Sequence, residues 1–153
     1  MRLIAHRGLI YGPNALLENN PDVIKSTLDK GYDAEIDVWF IKGECFLGHD
    51  APMYKVDLQF LDREGLWIHA KNLDALYELG TTNLNYFWHQ NDDFTLTNKG
   101  FIWTYPGLEL TADSVCVMPE WSNLEFNNLP QGCYAICSDY VSNPKFQQLI
   151  TRK

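Results

Sequence analysis

The chain has 153 residues, with 12 lysines and arginines against 20 aspartates and glutamates, a formal net charge of −8. A surface of this sign repels polyanions, which argues against nucleic-acid binding through a basic groove. Apolar residues make up 46% of the chain. This fraction excludes a disordered chain and is enough for the core of a single domain spanning residues 1–153.

The sequence carries no signal for membrane insertion or secretion. No run approaches the roughly 18 consecutive apolar residues of a membrane span, and the N-terminal apolar stretch is too short for a signal peptide. The four cysteines form no CxxC pair, and two of them lie in apolar runs. We therefore expect buried free thiols and a cytoplasmic location.

Short apolar runs recur along the chain and predict β-strands, because they are four to seven residues long for the most part and rich in β-branched and aromatic types. Several are continuously apolar, which is typical of parallel strands buried on both faces. The runs are residues 3–5, 34–40, 45–47, 66–70, 84–88, 101–105, 115–118 and 134–137.

Helices are predicted mainly in the first half. Asn20 is a suitable N-cap, Pro21 suits the first helical position and Gly31 a helix end. Further helices are expected over residues 73–79 and from Pro144 to about residue 150.

The connectors 89–100 and 106–114 are too short and polar to supply full helices. We therefore expect apolar strand flanks in the second half that need another cover. A symmetric homodimer would cover them, and so would a loop formed by residues 119–133.

Residues suited to catalysis follow the first strands. The first strand ends in His6-Arg7-Gly8, which offers a proton-exchanging imidazole and a fork for phosphate. Glu35 and Asp37 lie two apart, so their carboxylates share one face of an apolar strand. A divalent cation would relieve their mutual repulsion, and oxygen ligands favour Mg²⁺ or Ca²⁺.

Other polar and aromatic residues occupy comparable positions. Glu18 and Asn19 precede the first helix, and His49 follows the glycine after the third run. Weaker candidates follow later runs, and two tryptophans could form a stacking wall. These residues are His89, Glu120 and Asp139, with Trp103 and Trp121.

The segments IAHRG, ENN, AEIDVWF and FLGHD resemble the signature of the glycerophosphodiester phosphodiesterases, which reads HRG, EN, ExDV and GHD in this order and at similar spacing. The later segment AICSDYVSNP is similar to that family's last strand. The resemblance implies an α/β fold. At this length it implies a reduced TIM-like (β/α) barrel of about seven parallel strands that lacks several helices in its second half.

The resemblance also implies roles for individual residues. His6 and His49 correspond to the general acid and base, and Arg7 and Lys71 to residues that bind the substrate phosphate. Glu35 and Asp37 correspond to metal ligands, with Glu18 near the metal. His69 stands where the family has a further ligating glutamate, and an imidazole there would favour Mn²⁺ or Zn²⁺.

The implied activity is metal-dependent hydrolysis of a small glycerophosphodiester-like substrate. Only 15 residues separate Asp50 from Leu66, so the family's insertion, which helps recognise the alcohol, is missing. Two alternatives stay open: a non-catalytic barrel that binds a phosphorylated ligand or a partner, and a lyase that forms a cyclic phosphate.

Overall fold

The computed structural model describes residues 1–122 and 126–151 of the chain, which form an α/β fold. Within them lies one ten-stranded sheet with four α-helices. The strands are β1 (Arg2–Ala5), β2 (Asp33–Ile41), β3 (Glu44–Leu47), β4 (Tyr54–Val56), β5 (Leu66–Ala70), β6 (Tyr86–Phe87), β7 (Phe94–Leu96), β8 (Ile102–Thr104), β9 (Ser114–Val117) and β10 (Ala135–Ser138). The helices are α1 (Pro21–Asp29), α2 (Leu58–Leu61), α3 (Leu73–Gly80) and α4 (Pro144–Thr151).

The predicted elements are confirmed in type. Each of the eight apolar runs contains a strand, and α1, α3 and α4 occupy the three predicted helical segments. The Asn20 side chain accepts hydrogen bonds from the amides of Asp22 and Val23, which is the predicted cap. The three-residue strands β4 and β7 were not predicted, because so short a segment carries little periodicity.

The sheet is mixed: about seven parallel strands were predicted, and antiparallel strands join them. Parallel pairs join seven strands in the order β6-β5-β2-β1-β10-β9-β8. The remaining strands, β3, β4 and β7, pair antiparallel. The β2–β3 hairpin follows from its turn, because Lys42 and Gly43 both have positive φ, at 53° and 79°, and a two-residue turn of this kind returns the chain antiparallel.

The two ends of the curled sheet are linked by individual hydrogen bonds. Within the described part of the chain, no strand pairing joins β6 to β7 or β8. Instead, the Asn98 side chain accepts from the Tyr86 amide and donates to the Leu84 carbonyl oxygen, both at 2.8 Å. The Asn98 amide donates to the Tyr86 carbonyl oxygen at 3.0 Å, so one asparagine bridges the gap.

Helices cover the outer face of the first half of the sheet. Alternate residues of β2 and β5, such as Ile36 and Ile68, point outward into a buried cluster that includes Ala75 and Leu79 of α3. The outer flank of β9 and β10 has a different cover. Phe146 of α4 packs there, together with Phe126 and Leu129 of the loop that precedes β10.

The covering loop bears on how the second half of the sheet is protected. Phe126, Leu129 and Cys133 of segment 119–133 pack on this flank, which supports the loop alternative there. Residues 123–125 of the segment lie outside the described residues. The homodimer stays a prediction. None of the helices that the structure describes is long and apolar enough to cross a bilayer.

Aromatic rings fill the inner face of the curled sheet. Phe87 stacks on Trp103 with ring centroids 4.5 Å apart, and Trp67 lies 6.0 Å from Trp103. At the end of the sheet where β2 begins, Asp33 accepts hydrogen bonds from Trp67 Nε1 at 3.0 Å and from Arg2 at 3.1 Å. These contacts join β1, β2 and β5 at this end, opposite the carboxyl ends of the parallel strands.

The bridging asparagine gives a test of the fold. We expect Asn98→Ala to lower the free energy of unfolding by about 1–3 kcal/mol, because two side-chain hydrogen bonds of about 0.5–1.5 kcal/mol each are lost. Urea unfolding measures the change, and Asn128→Ala, at an exposed position, is the matched control. Equal midpoints for the two variants would show that Asn98 does not hold the sheet ends together.

Candidate functional site

All four histidines of the chain line one cavity. The cavity has a volume of about 310 Å³ and lies at the carboxyl ends of the parallel strands. His6, His49 and His69 meet there, as do Arg7, Glu35 and Asp37, so six of the predicted site residues converge. The ends of parallel strands share one edge of a sheet, which is why residues distant in sequence meet here.

The turn after β1 aims a backbone donor at Glu35. Arg7 adopts a left-handed conformation with φ 51° and ψ 26°, and its amide donates to Glu35 Oε2 at 3.0 Å. Gly8 follows with φ 79°, and a Cβ there would lie 2.8 Å from Ile24 Cγ1. Glycine is therefore required for α1 to pack against this turn, and the unusual backbone at Arg7 is typical of functional sites.

Asp37 is buried, at 1% exposure, but well compensated. Asn19 Nδ2 donates to Asp37 Oδ2 and the Asp37 amide donates to Asn19 Oδ1, both at 2.8 Å. Lys71 Nζ lies 3.4 Å from Asp37 Oδ1. Burial alone would raise the pKa of Asp37, but the hydrogen bond and charge of His69, with Lys71 and Asn19, hold that pKa well below its usual value.

Glu35 has the opposite balance. Burial first, and then the neighbouring charge of Asp37, raise the pKa of Glu35 above its usual value. Its contact with the Arg7 amide and the charges of His6 and His69 offset this only in part. Asp37 is therefore stable as an anion, whereas Glu35 lacks sufficient positive charge around it.

His69 presents a ring nitrogen to both carboxylates. Nδ1 lies 3.0 Å from Asp37 Oδ1 and 4.0 Å from Glu35 Oε1, while Nε2 lies 3.1 Å from the His89 carbonyl oxygen. A carbonyl oxygen can only accept, so we assign a hydrogen to Nε2. In the neutral ring, Nδ1 then directs a lone pair at the carboxylates.

Three lone pairs thus converge on one point. Glu35, Asp37 and His69 each offer a ligand atom, and these atoms lie within 4.8 Å of one another. A divalent cation would replace this repulsion with coordination, so the donor set fits a metal ion. Without a metal, a hydrogen on His69 Nδ1 donated to Asp37, or a proton on Glu35, also relieves it.

His6 is oriented by a carboxylate from the far end of the chain. Its Nδ1 lies 2.9 Å from Asp139 Oδ1, so Nδ1 carries the hydrogen and Nε2 is left for the cavity. Burial alone would lower the pKa of His6, but the hydrogen bond with Asp139 and the charge of Glu35 raise it above its usual value. Glu120 Oε1 in turn accepts from the Asp139 amide at 3.0 Å and from Ser138 Oγ at 2.8 Å.

His49 has a similar partner on a more exposed loop. Its Nδ1 lies 2.7 Å from Asp50 Oδ1. The preceding Gly48 is fixed because its carbonyl oxygen accepts from Trp39 Nε1 at 2.6 Å. A Cβ on Gly48 would lie 2.1 Å from the Ala51 carbonyl oxygen, so this turn also requires glycine.

Glu18 and Lys71 flank the cavity instead of lining it. Glu18 Oε2 accepts from Arg7 Nη1 at 2.8 Å, and Glu18 is outside the compact group of Glu35, Asp37 and His69. Glu18 therefore positions Arg7, and its place near a metal stays a prediction. Lys71 contacts Asp37, as given above, and its role toward phosphate stays a prediction.

The structure places at the site several residues that the sequence analysis gave as weaker candidates or did not identify. Asp139 contacts His6, and His89 stacks on His69 with ring centroids 4.9 Å apart. Burial and the charge of His69 lower the pKa of His89 to about 4. Tyr105 lines the cavity too; its only signal was its place at the end of an apolar run.

Comparisons of this chain with protein-family models, with curated proteins and with solved structures found no match.

The contrast between the two carboxylates gives a test of the site. In EDTA at pH 7, we expect Glu35→Gln to raise the free energy of unfolding by about 1 kcal/mol, because an undercompensated buried charge is removed. Asp37→Asn should lower it by about 3 kcal/mol, because His69 and Lys71 lose a buried partner. Chemical denaturation measures both, with the exposed Glu109→Gln as control.

The pH dependence of these two effects has a fixed sign. The gain in Glu35→Gln should shrink as the pH falls, because folded wild-type Glu35, with its raised pKa, takes up a proton more readily than the unfolded chain. The loss in Asp37→Asn should persist down to about pH 4, the unfolded range of aspartate. Changes of the same sign in both variants would contradict the assigned charge balance.

Proposed function

We propose that this protein is a metal-dependent phosphodiesterase whose acid and base are His6 and His49. The observation that carries the proposal is the convergence of the Glu35, Asp37 and His69 ligand atoms beside two histidine–aspartate pairs in one cavity. The order of the motifs in the sequence, which resembles the glycerophosphodiester phosphodiesterases, supports the same reaction class.

The fold proposed with this function is a reduced, TIM-like barrel. Seven parallel strands in one continuous order support it, as do the hydrogen bonds of Asn98 that link the two sheet ends. In such a fold the active site lies at the carboxyl ends of the strands. The cavity lies at this end.

Glu35, Asp37 and His69 would hold the metal ion. When bound, the ion supplies positive charge to the nonbridging oxygens of the phosphodiester. An imidazole in the donor set favours Mn²⁺ or Zn²⁺ over Ca²⁺, and the two carboxylates are equally suited to Mg²⁺. The deficit of positive charge around Glu35 supports a cation at this position rather than a structural hydrogen-bond network.

The two histidine–aspartate pairs would move protons. In each pair the aspartate holds the Nδ1 hydrogen, so Nε2 is free to accept a proton from the attacking hydroxyl or donate one to the leaving alcohol. Arg7 and Lys71 add fixed positive charge near the site; Arg7 Nε lies 3.8 Å from Asp37 Oδ2. Glu18 orients the Arg7 guanidinium for phosphate.

A non-catalytic role is the second candidate, and one observation favours it. Asp37 already has His69, Lys71 and Asn19 as partners without any metal. A site satisfied in this way could bind a phosphorylated ligand without turnover. Release of p-nitrophenolate from bis(p-nitrophenyl) phosphate separates the two candidates, and phosphorus NMR of the product distinguishes hydrolysis from formation of a cyclic phosphate.

Metal binding should be visible without turnover. We expect Mn²⁺ or Mg²⁺ at 100 times its dissociation constant to stabilise the folded protein by about 2.7 kcal/mol. The variant Glu35→Gln/Asp37→Asn should show no such increase, measured as the shift in Tm between EDTA and metal. Glu109→Gln/Asp113→Asn removes the same charge from exposed positions outside the cavity and is the control. Equal shifts in both double variants would place the metal elsewhere.

Catalysis by the two histidines predicts large, non-additive losses. We expect His6→Ala and His49→Ala each to lower kcat by at least about 10²-fold, the usual scale for one proton-transfer group. The double variant should lose little more than either single variant, because the residues act as a unit. Circular dichroism checks folding. A wild-type rate in His49→Ala would refute its role.

A further inference from the structure

The cavity that holds the candidate site is divided into two arcs of different chemistry. One arc comes from β1, β2 and β5 and from the loop after β3, and it carries His6, Arg7, Glu35, Asp37, His49 and His69. The other arc comes from β6, β8 and β9 and the turns after β8 and β9. We call it the apolar arc, and it includes Phe87, Trp103, Tyr105, Val117, Met118 and Trp121. The turn after β6 also lines the cavity, with the polar side chains of His89, Gln90, Asn91 and Asp92.

The floor of the apolar arc is closed and rigid. Phe87 and Trp103 are buried and stack on each other, as described for the inner face of the sheet, and Met118 is buried beside them. Strands β8 and β9 contribute no charged side chain along their described lengths. A polyol bound against this floor would therefore lose hydrogen bonds to water and regain few from the protein.

The mouth of the apolar arc exposes two aromatic rings in contact. Trp121 is 62% and Tyr105 49% exposed, and their ring centroids lie 6.3 Å apart at an interplanar angle of 67°. A lone exposed aromatic side chain needs no explanation. Two that meet edge to face at the mouth of a cavity form an L-shaped corner into which a planar group can fit.

The backbone that places this corner is unusual. Met118 has φ 45° and ψ 55°, a left-handed conformation that is rare for a residue other than glycine. The following turn, Pro119–Trp121, directs Glu120 inward to the Asp139 amide while Trp121 stays at the mouth. The same strained turn thus supports the His6–Asp139 pair and the aromatic corner.

We propose that the apolar arc is a specificity subsite for an uncharged aromatic group on the alcohol part of the substrate, with Trp121 and Tyr105 as specificity-determining residues. The inference rests on the proposed function, which places the phosphate on the arc that carries Glu35, Asp37 and His69. The cavity volume of about 310 Å³ is at the lower end of the range of about 300–1,000 Å³ for small-molecule sites. This volume accommodates one small phosphate ester.

Binding of phosphate monoesters tests the subsite without turnover, because a diesterase does not consume them. With Mn²⁺ present, calorimetry compares phenyl phosphate, glycerol 3-phosphate, phosphocholine and methyl phosphate. We expect phenyl phosphate to bind about tenfold more tightly than glycerol 3-phosphate and methyl phosphate. Trp121→Ala should remove that preference and leave the affinity for methyl phosphate unchanged.

The control variant is Tyr77→Ala, which removes an aromatic ring that is 72% exposed on α3 and outside the cavity. It should bind all four esters like the wild type. Trp121 is largely exposed, so Trp121→Ala should keep the wild-type Tm, and Tyr105→Phe should keep the preference because the ring is retained.

The outcomes separate the subsite from the proposed function. Equal affinity for all four esters, or an undiminished phenyl preference in Trp121→Ala, overturns the subsite and leaves the phosphodiesterase proposal in place. Tighter binding of phosphocholine than of phenyl phosphate overturns it in favour of a quaternary ammonium. Trp121-dependent binding of phenyl phosphate with no measurable binding of methyl phosphate supports the subsite and contradicts a phosphate site. Binding of none of the esters overturns both.

Discussion

The buried negative charge of Asp37 is the constraint on which the site depends. A carboxylate at 1% exposure is tolerable only if its partners replace the water it has lost. Its partners are Asn19 from the segment before α1, His69 from β5 and Lys71 from the segment after β5. Satisfying this one group therefore fixes the relative positions of separate parts of the chain, and it does so at the end of the sheet where the cavity opens.

Glu35 shows what this arrangement leaves unsatisfied. It lies on the same face of β2, yet its main donor is the Arg7 amide, and the balance of burial and charge raises its pKa. A fold selected for stability alone would replace such a group with an apolar residue. Its retention beside Asp37 and His69 is understandable if the site holds a cation, and the left-handed backbone at Arg7 has the same explanation.

The division of the cavity into two arcs follows from how the chain is used. The first half supplies strands whose outer faces are covered by α1 and α3, and its inner residues carry the charged groups. The second half has short strands and loop cover, and its inner residues are aromatic. If both proposals hold, the second half of the sheet would recognise the alcohol group, while Asp139 from that half would still position His6.

The sequence by itself determined eight of the ten strands, three of the four helices and the candidate site residues His6, Arg7, Glu35, Asp37 and His49. These features are local: apolar runs, caps, glycines at required turns and residues two apart on one strand. Only the tertiary structure decided that Asp139 meets His6 across 133 positions, that Glu18 holds Arg7, and that Asn98 links the sheet ends. Trp121 and Tyr105 meet for the same reason. Such contacts depend on which strands become neighbours and on how far each side chain reaches, and no short-range pattern records either quantity.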